Sequence, residues 1–239
     1  DMRCSPWWGA SLSLTHPEII RSIHASYVAS GSQAVLSATY QVYPLHALEP
    51  NLRDRGPSKG YDDDSEDAVN RVCSAAVGIA RESVSRVKKG HSGLVGGSCG
   101  PIGCALAGAA EFSGVYGLSG EEGDELNAIV VEEFYRSKIE ALLSAGVDWI
   151  AFETFPRLDE ALLVTLLMER IQLEEPDRRY CCSFSFVTHD GVTLPHKNTP
   201  LAEILRVLTP FVDSNLVIAV GFGCCTPDAA EVAATSWLS

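Results

Sequence analysis

The chain has 239 residues, 31 of them acidic and 18 basic, and its formal net charge is −13. This length suits one large domain or two small ones, and a hydrophobic fraction of 46% is enough for a sizeable core. The acidic balance disfavours nucleic acid and anionic membranes as partners, and the apolar runs fall short of the ~20 residues that cross a bilayer.

Apolar periodicity predicts helices that alternate with short apolar strands. Because the strands are apolar runs without polar alternation, we expect them to be buried on both faces of a parallel sheet wrapped by helices. An eight-stranded barrel and an open doubly wound sheet both fit this pattern. A long surface loop is predicted at 46–62. The predicted helices are 16–31, 64–90, 123–146, 157–174, 199–211 and 226–239, and the predicted strands are 33–41, 92–98, 147–154, 179–187 and 215–223.

Chemically useful side chains follow the predicted strands. In parallel α/β proteins reactive residues collect at the carboxyl ends of the strands, where several loops meet. No histidine lies at a strand end, which argues against a hydrolase built on a Ser–His or Cys–His pair. The residues at these ends are Thr39, Tyr40, Gln41, Ser98, Glu153, Cys224 and Cys225.

The cysteine usage favours a reducing compartment. The first ten residues lack the basic and apolar regions of a secretory signal, and a chain of this size does not need disulfides. We therefore expect a cytoplasmic protein whose cysteines are free thiols or metal ligands. The eight cysteines are Cys4, Cys73, Cys99, Cys104, Cys181, Cys182, Cys224 and Cys225.

Cys224 and Glu153 each have two interpretations from the residues alone. Cys224 follows an apolar strand and two glycines, so it is either a metal ligand, with zinc as the obvious metal, or a small residue in a turn. Glu153 ends the "WIAFE" run, where a carboxylate either meets a cation or substrate amine, or caps the next helix.

Several motifs together resemble the homocysteine S-methyltransferase family. They are "HPEIIRSIHASYVASGSQAVLSATYQ", "GSCGPIGCALAGAAEFSGVY", "AGVDWIAFETFPRLDEA", "NTPLAEIL" and "VIAVGFGC", in the family's order and spacing. The resemblance implies a (β/α)8 TIM-barrel fold and zinc held by three cysteine thiolates. It also implies transfer of a methyl group from S-methylmethionine or S-adenosylmethionine to homocysteine, giving methionine.

The resemblance also assigns roles to residues. Cys224 corresponds to the zinc ligand after the sixth strand, with Cys225 as the alternative in a register shifted by one. Glu153 corresponds to the residue that holds the amino group of homocysteine. The segment 39–41 corresponds to the pocket after the second strand, and Ser98 of the Gly-Ser-x-Gly-Pro motif is expected to bind substrate as well. The expected partners are homocysteine and a small methyl donor, and a homo-oligomer is left open.

The chain departs from the family pattern in three places. Gly223 replaces the family's asparagine, no Asp-Gly-Gly strand precedes Asp1, and no terminal Gly-Gly-Cys-Cys motif follows Cys225. We therefore expect residues 1–239 to form a single, incomplete barrel-type domain whose five strands correspond to the family's strands 2 to 6. The alternative to a methyltransferase is a truncated or degenerate homologue without zinc or catalysis, acting as a binding or structural module.

Overall fold

The computed structural model describes residues 7–44, 66–85, 93–106, 108–116 and 126–238. The predicted loop at 46–62, both ends of the helix predicted at 64–90, and Cys4 lie outside these residues. The chain divides into two compact units. Unit 1 comprises Asp1–Cys99 and Glu133–Ala151, and unit 2 comprises Gly100–Glu132 and Phe152–Ser239.

Helices and strands alternate in both units. Unit 1 contains a 3-10 turn and the elements α1 (Leu12–Thr15), α2 (Pro17–Ala29), β1 (Ala34–Leu36), α3 (Glu66–Ser85) and β2 (Leu94–Cys99). Helix α4 (Ala110–Ser113) lies in unit 2, and α5 (Ala128–Ser144) and β3 (Trp149–Phe155) belong partly to each unit. The rest of unit 2 contains α6 (Leu158–Glu174), β4 (Cys182–Phe186), β5 (Thr193–Leu194), β6 (Thr199–Pro200), α7 (Leu201–Asp213), β7 (Val217–Phe222) and α8 (Pro227–Leu238).

Five strands form one sheet in the order β1-β2-β3-β4-β7, which confirms the predicted five-stranded α/β architecture. β1 pairs with β2 in parallel, with Val35 opposite Val95, and β4 pairs with β7 in parallel, with Phe184 opposite Val220. The short strands β5 and β6 form a separate antiparallel pair that the sequence pattern did not predict, since each has only two residues.

Each unit has its own apolar core. In unit 1, α3 and α5 contribute fully buried side chains, among them Val72, Ala76, Ile139 and Leu142. In unit 2, four phenylalanine rings from β3 and β4 are in contact, with ring centroids 5.0–5.9 Å apart. Aromatic pairs at these distances add attraction beyond the area they bury. No helix among the described residues combines the length and hydropathy that a membrane span requires.

The prediction that every strand is buried on both faces is correct for most of β2 and β3 and wrong for the other strands. Buried residues alternate with half-buried ones along β4, whereas Ile218 of β7 is 54% exposed and Leu36 of β1 is 37% exposed. β1 and β7 are the outer strands of the sheet. Within the described part of the chain each therefore has one neighbouring strand rather than two, and its apolar residues are less completely covered.

Candidate functional site

In unit 1 the structure brings Thr39 and Ser98 together. The Thr39 hydroxyl donates a hydrogen bond to the Ser98 carbonyl at 2.8 Å, and it lies 2.8 Å from the hydroxyl of Ser37. The Ser98 N–H donates to Ser37 Oγ at 3.3 Å. All three residues are buried.

The direction of each bond in this ring follows from the chemistry of its members. The Ser98 carbonyl can only accept, so the single hydroxyl hydrogen of Thr39 points to it. Ser37 must then donate its own hydrogen to Thr39 Oγ1 while accepting from the Ser98 N–H. The hydroxyl hydrogen of Thr39 is therefore already donated within the protein, and Thr39 fastens the chain after β1 to strand β2.

The residues after Thr39 are held by side chains from other elements. The almost fully buried Lys138 of α5 donates from Nζ to the Tyr40 carbonyl at 3.0 Å. The indole N–H of Trp7 donates to the Tyr43 carbonyl at 3.1 Å, and the Tyr43 ring stacks on Phe134 with centroids 5.7 Å apart. These contacts fix the backbone of residues 40–43. The side chains of Tyr40 and Gln41 are half-buried.

In unit 2, Glu153 and Thr154 lie near the end of β3. Glu153 is half-buried, and Thr154 is 1% exposed. The Thr154 N–H donates to the hydroxyl of Ser185 on β4 at 3.3 Å. The Thr154 hydroxyl donates to the Cys224 sulfur at 3.1 Å. The structure therefore links the residue after Glu153 to one of the predicted metal ligands.

Cys224 lies two residues beyond the end of β7 and is exposed, whereas Cys225 is half-buried. The backbone of Cys224 has a φ of +53°, which is uncommon for a residue with a side chain. The preceding Gly223 donates its N–H to the Phe186 carbonyl at the end of β4, at 3.0 Å. A Cβ atom at position 223 would lie 3.1 Å from Ser185 Oγ, so glycine lets this turn approach β4 closely.

The predicted zinc ligands do not form a complete site with the other described residues. A catalytic zinc ion normally takes three ligands from the protein, and a structural one takes four. Within the part of the chain that the structure describes, no three Cys, His, Asp or Glu side chains are grouped so that they could hold a metal ion. Cys224 and Cys225 supply two thiols, so the described residues alone do not fit zinc.

A buried charged cluster in unit 2 was not predicted. Arg157 is fully buried and binds both carboxylate oxygens of Asp159, at 3.0 and 2.7 Å. It also donates to the Gly114 carbonyl at 2.9 Å, and its guanidinium carbon lies 5.1 Å from the centre of the Tyr116 ring. Burial alone would raise the pKa of Asp159, but hydrogen bonds from Arg157 and its positive charge hold the pKa below its usual value.

Glu160 completes this cluster from the first turn of α6. Its carboxylate accepts the Ile102 N–H at 2.8 Å and the Tyr116 hydroxyl at 2.6 Å. Burial and then the charge of Glu160 raise the pKa of Tyr116 well above its ordinary value. The cluster therefore fastens the loop that follows β2 to the start of α6. The sequence signal was three charged residues within 157–160, shortly after a strand, a segment that the pattern identified only as the start of a helix.

A cavity of about 450 Å³ lies beside α4 and the segment between β4 and β6. Its lining includes Phe112, His189, Asp190 and Asn198, and none of the predicted site residues. Asp190 is held in a turn, because its carboxylate accepts the N–H groups of Val192 and Thr193, both at 2.8 Å. These bonds lower the pKa of Asp190 to about 2, and the bond from the Thr193 N–H contributes most.

Comparison with known proteins gives consistent matches along the chain. A family model described as homocysteine S-methyltransferase matches residues 2–237. Homocysteine S-methyltransferase 1 of Arabidopsis thaliana is 31% identical over 232 residues, which cover 95% of this chain and 64% of the relative. Homocysteine S-methyltransferase of Escherichia coli is 30% identical over 218 residues, 91% of this chain and 62% of the relative.

The solved structures agree with these sequence matches. The metallated form of the homocysteine methyltransferase MmuM from Escherichia coli superposes with a TM-score of 0.79 and 26% identity, covering 98% of this chain and 72% of that one. This match shows the barrel-type fold expected from the resemblance. The chain spans less than two thirds of the length of the two curated relatives.

Proposed function

Because the chain belongs to the homocysteine S-methyltransferase family, we propose that it transfers a methyl group to the sulfur of homocysteine, giving methionine. The proposed donor is a sulfonium compound, S-methylmethionine or S-adenosylmethionine. The proposal includes the cytoplasmic location expected from the cysteine usage.

One observation carries the proposal beyond the family match: the placement of Cys224. This thiol is exposed just past the carboxyl end of β7, and a buried side chain donates a hydrogen bond to its sulfur. Reactive groups of parallel α/β proteins lie at this end of the strands. An accessible, oriented thiol at a strand end is the arrangement expected of a residue that works on a ligand rather than one that fills the core.

The other predicted residues take distinct parts in the proposal. Glu153 is half-buried at the end of β3, and its carboxylate would pair with the ammonium group of homocysteine. Tyr40 and Gln41 would line the substrate pocket on a backbone fixed by the carbonyl contact to Lys138. Thr39 and Ser98 would act indirectly, because their hydrogen-bonded ring shapes this segment.

The reaction needs orientation more than acid–base chemistry. The homocysteine sulfur, as a thiolate, forms a new bond to the methyl carbon while the carbon–sulfur bond of the sulfonium breaks, and the donor leaves as a neutral thioether. The thiol proton is released when the thiolate forms. A site that holds both sulfur atoms in line would lower the entropic part of the barrier and exclude water.

Zinc is a separate part of the proposal. Cys224 would supply one thiolate ligand, with Cys225 as its rival in register, and the other ligands would lie outside the described residues. Zinc in such a site would favour the thiolate form of homocysteine. Metal analysis of the purified chain tests this part: bound zinc that falls in Cys224→Ser and persists in Cys225→Ser supports Cys224, and the reverse result supports Cys225.

The second candidate is the alternative that the sequence left open, a homologue that binds a small ligand without zinc or catalysis. The two candidates differ in a single measurement. Methionine formed from homocysteine and S-methylmethionine or S-adenosylmethionine is quantified by mass spectrometry. Homocysteine binding by calorimetry without turnover would support the second candidate and contradict the first.

Cys224→Ser and Cys225→Ser form a matched pair for this assay. Both substitutions remove one thiol from the same turn, but Cys224 is exposed and accepts the hydrogen bond from Thr154, whereas Cys225 is half-buried. We expect Cys224→Ser to lower methyl transfer by about 100-fold or more, since even indirect partners of such sites cost 10–100-fold. Cys225→Ser should change it only a few-fold. Equal losses would contradict the role assigned to Cys224.

A further inference from the structure

Thr154 has a backbone conformation that its residue type disfavours. Its φ is +64°, in the left-handed region. A β-branched side chain is a genuine outlier there, because its branches crowd the backbone. Residues held in such conformations persist only where their surroundings enforce them, and they concentrate at functional sites.

The contacts of Thr154 show what enforces this conformation. Its N–H donates to Ser185 Oγ at 3.3 Å, and its hydroxyl donates to Cys224 Sγ at 3.1 Å. The side chain is 1% exposed, so water does not compete effectively for the hydroxyl. The backbone N–H and the hydroxyl of Thr154 are thus both hydrogen-bonded, the first to a residue near the end of β4 and the second to a residue just after β7.

Cys224 is held from the other side. Its own φ is +53°, and the preceding Gly223 is fastened to β4 through its bond to the Phe186 carbonyl. Two residues with unfavourable backbone conformations therefore face each other, and one hydrogen bond joins them. The sulfur of Cys224 receives this bond while its side chain remains exposed to solvent.

We infer that Thr154 is a positioning residue for the Cys224 thiol, holding its sulfur in one side-chain rotamer. The left-handed turn at Thr154 directs the hydroxyl to Cys224 rather than to the neighbouring backbone. The role of the oriented Cys224 thiol in methyl transfer rests on the proposed function. The orientation itself can be tested independently of that function.

Three variants separate orientation from general stability. Thr154→Val keeps the shape and removes the hydroxyl, whereas Thr154→Ser keeps the hydroxyl. Thr165→Val is the matched control, because Thr165 is equally buried in unit 2 and its hydroxyl donates to the Ala161 carbonyl at 2.7 Å, away from Cys224. Thermal melting of all three reports the structural cost of each change.

The direct readout is the χ1 rotamer of Cys224, measured from NMR couplings in protein labelled at cysteine and assigned with Cys224→Ser. We expect one dominant rotamer in the wild-type protein, in Thr154→Ser and in Thr165→Val. In Thr154→Val the couplings should be averaged over several rotamers. A single, unchanged rotamer in a folded Thr154→Val, or averaging already in the wild-type protein, would overturn the inference.

Methyl transfer gives a second readout that distinguishes this inference from the proposed function. If the wild-type chain is active, Thr154→Val should be about 10-fold slower, Thr154→Ser should recover most of that loss, and Thr165→Val should match the wild type. Full activity in Thr154→Val would contradict the functional value of the positioning. If the wild-type chain is inactive, the proposed function fails, while the rotamer measurement still decides whether Thr154 orients Cys224.

Discussion

The neighbouring strands β4 and β7 each have a pair of adjacent cysteines, but at opposite ends. Cys181 and Cys182 lie at the start of β4, and Cys182 pairs with Val217 at the start of β7. Cys224 and Cys225 follow the end of β7. Cys182 is fully buried and Cys181 half-buried, whereas Cys224 is exposed and Cys225 half-buried.

The difference shows that position along a strand decides what a thiol can do. Burial raises the pKa of Cys182 far above its ordinary value, so this thiol stays neutral and behaves as a small apolar residue. Cys224 has a hydrogen-bond donor aimed at its sulfur and access to solvent. Two identical residue pairs therefore have different chemistry, because one lies at the start of its strand and the other follows the end of its strand.

The sharpest test of this comparison is the rate of alkylation by iodoacetamide under native conditions. Cys182 can react only after local opening of a core strand, which typically costs several kcal/mol, whereas Cys224 needs no opening. We expect Cys224 to react faster than Cys182 by about 1,000-fold or more, as read by peptide mass mapping over time.

The same reaction in urea provides the control, because the two thiols should react at similar rates once the chain is unfolded. A native ratio near one would mean that β4 opens readily or that Cys224 is covered. Either result would remove the contrast between the two strands.

The buried and exposed positions of the two strands should also differ in stability. Phe184 is buried in β4, with its ring 5.0 Å from that of Phe152, whereas Ile218 of β7 is 54% exposed. Phe184→Ala should lower the free energy of unfolding by about 3–5 kcal/mol, because it leaves a cavity in the core. Ile218→Ala should cost less than about 1 kcal/mol. Urea denaturation measures both, and equal losses would contradict the assigned exposure of β7.

The exposure of β7 shows where sequence reasoning succeeded and where it could not. Short apolar runs, separated by segments with the apolar spacing of helices, predicted all five strands of the sheet. Both the runs and the helical spacing arise because apolar side chains are buried. The apolar runs taken alone, without the family resemblance, did not reveal that β7 is an outer strand of the described sheet. That fact depends on which strand lies beside it, and a residue such as Ile218 looks the same in the sequence in either position.

The candidate site was predictable in part for a similar reason. The order of strands and loops pointed to Glu153, Thr39 and Cys224, because strand ends are visible as the ends of apolar runs. The bond from Thr154 to Cys224 was not predictable, since it joins residues 70 positions apart through two left-handed backbone conformations. The internal use of the Thr39 hydroxyl was hidden as well, because its acceptor, the Ser98 carbonyl, lies on another strand.

Replacing Cys182 at the start of β4 and Cys224 after β7, each by serine, should give a smaller difference in the free energy of unfolding. Cys182→Ser places a hydroxyl in a fully buried position suited to an apolar thiol, so it should lower the free energy of unfolding by about 1–3 kcal/mol. Cys224→Ser changes an exposed residue and should stay within about 0.5 kcal/mol. Urea denaturation of the two variants measures both values. A larger loss in Cys224→Ser would show that the turn after β7 stabilises the fold.

The smallest expected effect concerns the loops after the two strands and depends on pH. The loop after β4 is held by the Asp190 carboxylate, whose pKa is lowered to about 2 by the Thr193 N–H and then the Val192 N–H. The charged form is thus favoured in the folded protein, so its stabilising contribution is complete above the unfolded pKa of about 3.9 and is lost as the pH falls toward 2.

Asp190→Asn keeps an oxygen acceptor but not the charge. The urea midpoint of the wild type should exceed that of Asp190→Asn at pH 6, and the gap should narrow between pH 4 and pH 2. A difference in urea midpoint that does not change with pH would show that the turn after β4 does not depend on the charge of Asp190. The loops after both strands would then be held through neutral hydrogen bonds.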